Sequence, residues 1–181
     1  MKWRDHVLTA LLAAALCVMA PMAVPMSPVP ITLATLGVYL AAGLLGPWRG
    51  ATAVGLYLLL GAVGVPVFSG FSAGLPQLFG PTGGFLWGYL LCVIVAGWLC
   101  RGDGRGVLPL CLAAGTAVLY AAGVAWLWLS TEVSLGGAAL TVLPTLPGEV
   151  VKIAVAAALI IPLRGRVRRL MSAGVKERDH L

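Results

Sequence analysis

The chain has 181 residues, 60% of them hydrophobic and only 10% charged, against about 25% charged in ordinary soluble domains. With a mean hydropathy of +1.00, this composition excludes a soluble domain and implies an integral membrane protein. The net charge of +6 invites a nucleic-acid reading, but most of the excess is Arg164, Arg166, Arg168, Arg169, Lys176 and Arg178, just beyond an apolar segment. The positive-inside rule and anionic lipid account for such a run, so the lipid bilayer is the expected partner and nucleic acid is not.

Taken in order, the chain alternates apolar runs with short polar or irregular stretches. Met1 to His6 carries Lys2, Arg4 and Asp5, with Trp3 placed as an interfacial anchor. A first helix is predicted over about 7–24. A cleaved signal peptide shares the basic start and apolar centre, but no polar body follows. Ala10, Ala13, Ala14 and Cys17 set small residues three and four apart. That spacing lets a second helix approach closely, either within this bundle or from a partner membrane protein. Pro21, Pro25, Pro28 and Pro30 then break helical hydrogen bonding in an uncharged segment able to dip into the membrane or cover a pocket.

Helices over about 31–45 and 51–64 flank a tight turn, Gly46-Pro47-Trp48-Arg49-Gly50. Both are shorter than the about 20 residues of a straight crossing, which implies local thinning or ordered loops that complete the span. Residues 65–82 form the longest uncharged irregular stretch. Non-helical backbone survives at membrane depth only when buried in protein or lining a cavity. Further helices are predicted over about 83–100, 107–129 and 148–163, with Pro162 marking the last helix end and a basic tail over 164–181. The predicted fold is all-α: one transmembrane domain over 1–181, a compact bundle of six transmembrane helices with both termini cytoplasmic.

The orientation rests on Lys and Arg. They fall at the N-terminus, at Arg49, at Arg101 with Arg105 and in the tail, which is every second helix boundary. Of 12 basic residues, 11 fall on the cytoplasmic side by this count. Lys152 is the exception, one turn into the last helix from the outer face. It belongs to Pro147-Gly148-Glu149-Val150-Val151-Lys152, where Glu149 and Lys152 share a helix face three residues apart. A Lys near the bilayer centre costs about 2.5–3.5 kcal/mol on insertion scales. Two readings follow. The pair satisfies itself at a helix N-terminus, where Glu149 also suits the dipole. Or it forms the polar floor of an external site, Lys152 pairing with a ligand carboxylate and Glu149 accepting from ligand N–H groups. In that site Phe68, Phe71, Phe79 and Trp87 cover the hydrocarbon part, the usual build of a small-molecule pocket.

Other chemistries find little support. Cys17, Cys92, Cys100 and Cys111 lack C-x-x-C spacing, and both histidines are terminal, so neither a metal site nor a cofactor is expected. No Ser has a candidate base beside it, so no catalytic residues are assigned. Gly80-Pro81-Thr82-Gly83-Gly84 suggests an anion site or, more simply, a tight turn, and there is no Walker A sequence.

Val29-Pro-Ile-Thr-Leu33, Leu45-Gly-Pro-Trp-Arg-Gly50, Gly64-Val-Pro-Val-Phe68, Gly80-Pro-Thr-Gly-Gly84 and Pro147-Gly-Glu-Val-Val-Lys152 together resemble the BioY family, over about residues 28–163. Those proteins are the biotin-specific S components of energy-coupling factor transporters. The resemblance implies six helices in the prokaryotic cytoplasmic membrane, a biotin site near the outer surface, and loops that close over it. It adds Gln77, Thr82 and Gly83 to Phe68, Trp87, Glu149 and Lys152 as substrate-binding candidates. It also implies partners: a transmembrane coupling protein, docked on the first helix at Ala10, Ala13, Ala14 and Cys17, and two cytoplasmic ATPases. The family pattern has Asp where this chain has Glu149, one methylene longer. An S component for another small vitamin and a non-transport structural membrane protein are the alternatives.

Overall fold

In the computed structural model, the structure describes residues 3–24, 30–102 and 106–176, with side chains of the last helix to residue 167. Pro25, Pro28, Arg105 and Arg178, all named above, lie outside the described residues. The architecture is helical except for one small hairpin. Helix α1 (Trp3–Met19) carries Asp5 in its first turn, where a carboxylate suits the helix dipole. Strands β1 (Ala23–Val24) and β2 (Ile31–Thr32) pair antiparallel, Ala23 opposite Thr32. The proline-bearing segment thus folds back on itself and delivers Thr32 to the start of the next helix, where its hydroxyl accepts from the Ala34 N–H at 3.3 Å.

Helix α2 (Ala34–Val63) is the expected pair of helices, joined end to end across a break. The turn predicted over Gly46–Gly50 shrinks to one residue, Gly46, at φ 77° and ψ −173°. Pro47 restarts the helix at once, since its fixed φ and missing N–H suit a first helical position. Helix α4 (Gly83–Leu99) passes so close to this break that a Cβ on Gly97 would lie 2.7 Å from the Pro47 nitrogen. Gly64 ends α2 in the left-handed conformation, φ 111°, and the Val65 N–H returns to the Leu60 carbonyl at 3.1 Å.

The stretch 65–82 is more ordered than its composition implies. It holds a 3-10 turn at Ser69–Phe71 and helix α3 (Leu75–Phe79). Helix α5 (Leu108–Ser130) follows α4. Helix α6 (Leu135–Val142) occupies the predicted loop after it, capped by the Ser134 hydroxyl, which accepts from Gly137 N–H at 3.2 Å. Helix α7 (Leu146–Lys176) runs straight through Pro162 into residues expected as a tail. A proline costs a helix one hydrogen bond and a clash, which kinks it without having to end it.

Helix α2 lies against α1, α4 and α7, and α5 packs on α4. Their shared core buries Leu16, Tyr39, Tyr57, Leu112, Leu119 and Ile160 almost completely. Gly88 fits under Leu119 and Gly115 under Ala96 and Cys92, so small residues set the close α4–α5 approach. Leu11, Val18, Leu59, Leu110, Leu129 and Val150 face outward. In water such faces are a liability, and in lipid they are ordinary. By length and composition, Leu108–Ser130 and Leu135–Val167 pass as membrane spans among the described residues, and Gly83–Leu99 is a shorter apolar helix. The all-α expectation is met, and of the six expected spans two pass this test among the described residues.

Charge sorts to one end. Arg49 Nη2 lies 2.7 Å from Asp5 Oδ2, Arg101 sits 5.0 Å over the Trp98 ring, and Arg164 donates to the Gly102 carbonyl at 3.1 Å. The first turn of α1, the α2 break and the last turn of α4 meet there. Glu149 and Lys152 lie at the opposite end.

Candidate functional site: a polar floor beneath an apolar cleft

The first turn of α7 supplies Glu149, and one turn later Lys152 follows on the same face. Both are buried, at 5% and 8% exposure. Lys152 Nζ donates to Glu149 Oε1 at 2.7 Å and to Thr35 Oγ1 at 3.1 Å. Thr35 passes its own hydrogen to the same Oε1 at 3.1 Å. The second oxygen, Oε2, accepts from the Tyr39 hydroxyl at 2.7 Å. Tyr39 in turn lies 2.7 Å from Thr116 Oγ1 on α5. Tyr39 gives its one hydrogen to the carboxylate, so the Thr116 hydroxyl hydrogen is shared between Tyr39 and the Leu112 carbonyl, 2.8 Å away. Three helices therefore converge on one carboxylate, and both of its oxygens carry charge-assisted hydrogen bonds.

Above this floor lies a cleft of about 650 Å³, continuous with solvent. Thr35 and Glu149 form its base, and Phe85, Leu86, Tyr89, Leu119 and Tyr120 its walls. Its rim comes from Ile31 and Thr32 of the hairpin, Phe68, Ser69 and Ser72 of the loop after α2, Gln77, Thr82 and Thr145. Two further polar pairs hang in the walls: Tyr120 with Thr145 at 2.7 Å, and Tyr89 with Thr32 at 3.5 Å.

The rim is tied down by aromatic residues. Phe68 is fully buried and meets Tyr57 edge to face, centroids 5.6 Å apart. Trp126 Nε1 donates to the Gly80 carbonyl at 3.0 Å, and Trp87 Nε1 to the Leu78 carbonyl at 3.2 Å. Both indoles thereby hold α3 and the following turn against α4 and α5.

Of the residues expected from sequence, Glu149, Phe68, Gln77 and Thr82 line the cleft together. Lys152 stands behind Glu149 and is outside the lining. Gly83 is beside Thr82 but faces the Leu78 carbonyl, 2.1 Å from where a Cβ would stand. Trp87, Phe71 and Phe79 turn outward, at 40%, 70% and 64% exposure. On α1, Ala10 and Ala14 are exposed, while Ala13 packs with Leu45 and Ala53, and Cys17 is half-buried. Sequence reasoning missed Thr35, Tyr39, Tyr89, Thr116 and Tyr120. The signal was present: Thr32, Thr35 and Tyr39, and again Thr116 and Tyr120, recur at three and four residues and so mark one face of an apolar helix. The four cysteines are free, and among the described residues no three His, Cys, Asp or Glu side chains cluster as metal ligands.

Residues 1–169 match the sequence profile of the BioY family. The chain belongs to the BioY family. It is 39% identical over 166 residues to a probable biotin transporter BioY of Pyrococcus horikoshii, covering 91% of this chain and 99% of the relative. It is 41% identical over 172 residues to a biotin transporter BioY of Rhizobium etli, covering 88% and 92%. Among solved structures, it superposes with a TM-score of 0.83 and 23% identity on the S-component for biotin from an ECF-type ABC transporter, over 91% of this chain and 95% of that one. That likeness establishes a shared fold. Within this BioY fold, the hairpin, the loop after α2 and the start of α7 are the elements that shape the cleft.

Proposed function

We propose that this chain is the biotin-binding S component of an ATP-driven vitamin transporter, a transport part rather than an enzyme. The observation that carries this is the cleft itself: one carboxylate, held by Lys152, Thr35 and Tyr39, at the base of apolar and aromatic walls. A fused-ring urea offers N–H donors to such an acceptor and hydrocarbon to such walls. Lys152 holds Glu149 in place. Its ammonium is turned to Glu149 and Thr35, which favours this role over the pairing with a ligand carboxylate expected from spacing alone. Gln77 and Thr82 meet the ligand tail at the rim, Phe68 covers the rings, and Gly83 and Trp87 support the rim from behind.

In this reading, six helical segments cross the cytoplasmic membrane of a prokaryotic cell with both termini inside and the cleft outside. The gathering of Asp5–Arg49, Arg101 and Arg164 at the end opposite the cleft supports that orientation. The exposed Ala10 and Ala14 on α1 offer the docking face for a transmembrane coupling protein, to which two cytoplasmic ATPases bring the energy. Isothermal titration of the detergent-purified chain tests the proposal. Saturable one-to-one binding of biotin supports it. Binding of another vitamin in preference to biotin, or of none, overturns it.

A further inference from the structure

Glu149 is the one acidic or basic side chain among the described residues that line the cleft. The ammonium nearest to it is engaged with Glu149 Oε1 and Thr35 Oγ1, at 2.7 and 3.1 Å. Arg49, Arg101 and Arg164 lie at the far end of the bundle. Around the rim every polar side chain is neutral: Thr32, Ser69, Ser72, Gln77, Thr82 and Thr145. Ser72 turns its hydroxyl back to the Ser69 carbonyl at 2.8 Å, which leaves the Ser69 and Thr82 hydroxyls and the Gln77 amide to meet the outer end of a ligand. A site that demanded a carboxylate there would pair it with a buried cation.

We propose that this cleft recognises the urea-bearing ring of its ligand and is indifferent to the charge of the tail, so that neutral esters and amides of the tail bind alongside the free acid. The inference rests on the biotin reading above and deepens it. A hydroxyl or a primary amide hydrogen-bonds a carboxylate, an ester carbonyl or an amide alike, because each presents a carbonyl oxygen. The anion retains one advantage, the N-terminal end of α4 beside Thr82. A helix terminus of that kind discriminates about two- to five-fold. Loss of a buried ion pair, by contrast, costs about a hundred-fold or more. The cleft opens to solvent, so a long amide substituent leaves through the rim.

The test is equilibrium binding to the purified full chain with four ligands: biotin, biotin methyl ester, biotin joined through an amide to a lysine side chain, and biotin methylated on a urea nitrogen. The ester and the amide are expected within about ten-fold of biotin, and the N-methyl compound weakened about a hundred-fold or more. Biotin bound tightly with the ester and amide each weakened about a hundred-fold or more would overturn tail indifference and leave the proposed function standing. An N-methyl compound that binds like biotin overturns ring recognition by Glu149. No binding of biotin removes both readings at once. Gln77→Ala is a second control: it is expected to weaken acid and amide by the same factor, and a loss confined to the acid counts against the proposal.

Discussion

The Tyr39 hydroxyl donates to Oε2 of Glu149 at 2.7 Å, joining residues 110 positions apart in the chain. Tyr39 is fully buried and does not line the cleft, so it acts on a ligand only through the carboxylate it holds. With Thr116 behind it, it fixes one carboxylate oxygen from the side opposite Lys152. Tyr39→Phe keeps the ring volume and removes the donor. The expected result is weaker biotin binding by about 1–3 kcal/mol, the cost of unpairing a buried polar group, or about five- to a hundred-fold in Kd by titration. Unchanged affinity would mean that Glu149 needs no such support.

Shortening the carboxylate makes a second prediction. Glu149→Asp keeps the charge type but withdraws the carboxylate by about 1.5 Å. At that distance the bonds to Tyr39 and Thr35 lengthen past useful geometry. The variant is expected to lose affinity about ten-fold, one charge-assisted hydrogen bond's worth. Affinity equal to or better than that of the parent chain would show that the carboxylate reaches a ligand without its buried partners.

Lys152 is argued to serve the protein before the ligand. Lys152→Met leaves Glu149 at 5% exposure without its cation, held only by Thr35 and Tyr39, and breaking a buried pair this way costs about 3–5 kcal/mol of stability. Thermal unfolding in detergent checks this: a large drop in Tm is expected for Lys152→Met, and a much smaller one when Glu149→Gln is added, since the unpaired charge is then gone. A drop that persists in the double variant would assign Lys152 a role beyond holding Glu149.

How much of this was legible before the fold was known depends on what each residue costs out of place. Glu149 and Lys152 announced themselves because charge in an apolar segment is expensive. Thr35 and Tyr39 did not, since a Thr or Tyr in a membrane helix is unremarked until another helix crosses it. Trp87 looked like a wall because it follows an aromatic, glycine-rich loop. On α4, however, it stands two residues from both Phe85 and Tyr89, about 200° round the helix from each. Those two enter the cleft, so Trp87 cannot. Helix α6 was hidden by Gly136 and Gly137, poor helix formers whose cost the Ser134 cap and packing of Ala138 and Val142 offset.

The α2 break gives a stability prediction with a built-in contrast. A Cβ at Gly97 would meet the Pro47 nitrogen at 2.7 Å and the Gly46 carbonyl carbon at 2.9 Å, both backbone atoms with no rotamer to change. A Cβ at Gly55 meets nothing within 4 Å. Gly97→Ala is therefore expected to lower stability by about 1–3 kcal/mol through overpacking. Gly55→Ala, in an open helical position, is expected to raise it by about 0.5–1 kcal/mol. Equal effects of the two in thermal unfolding would show that α4 does not press on the break.

Orientation gives the last prediction. Helix α5 begins at Leu108, near the Gly102 carbonyl held by Arg164, and ends at Ser130, past the Trp126 indole that reaches Gly80 at the rim. Glu132, just beyond that end, and Arg101, at the other, are both exposed and so mark the two faces. The four native cysteines are free, three of them buried, and their replacement by Ala gives a background for single-cysteine labelling. In intact cells a membrane-impermeant maleimide is expected to modify Glu132→Cys at once, and Arg101→Cys only after the membrane is opened. The basic end then faces the cytoplasm, as the positive-inside rule requires, and the cleft opens outward where a scarce vitamin would be captured. The reverse pattern would turn the cleft inward and remove capture from outside as its task.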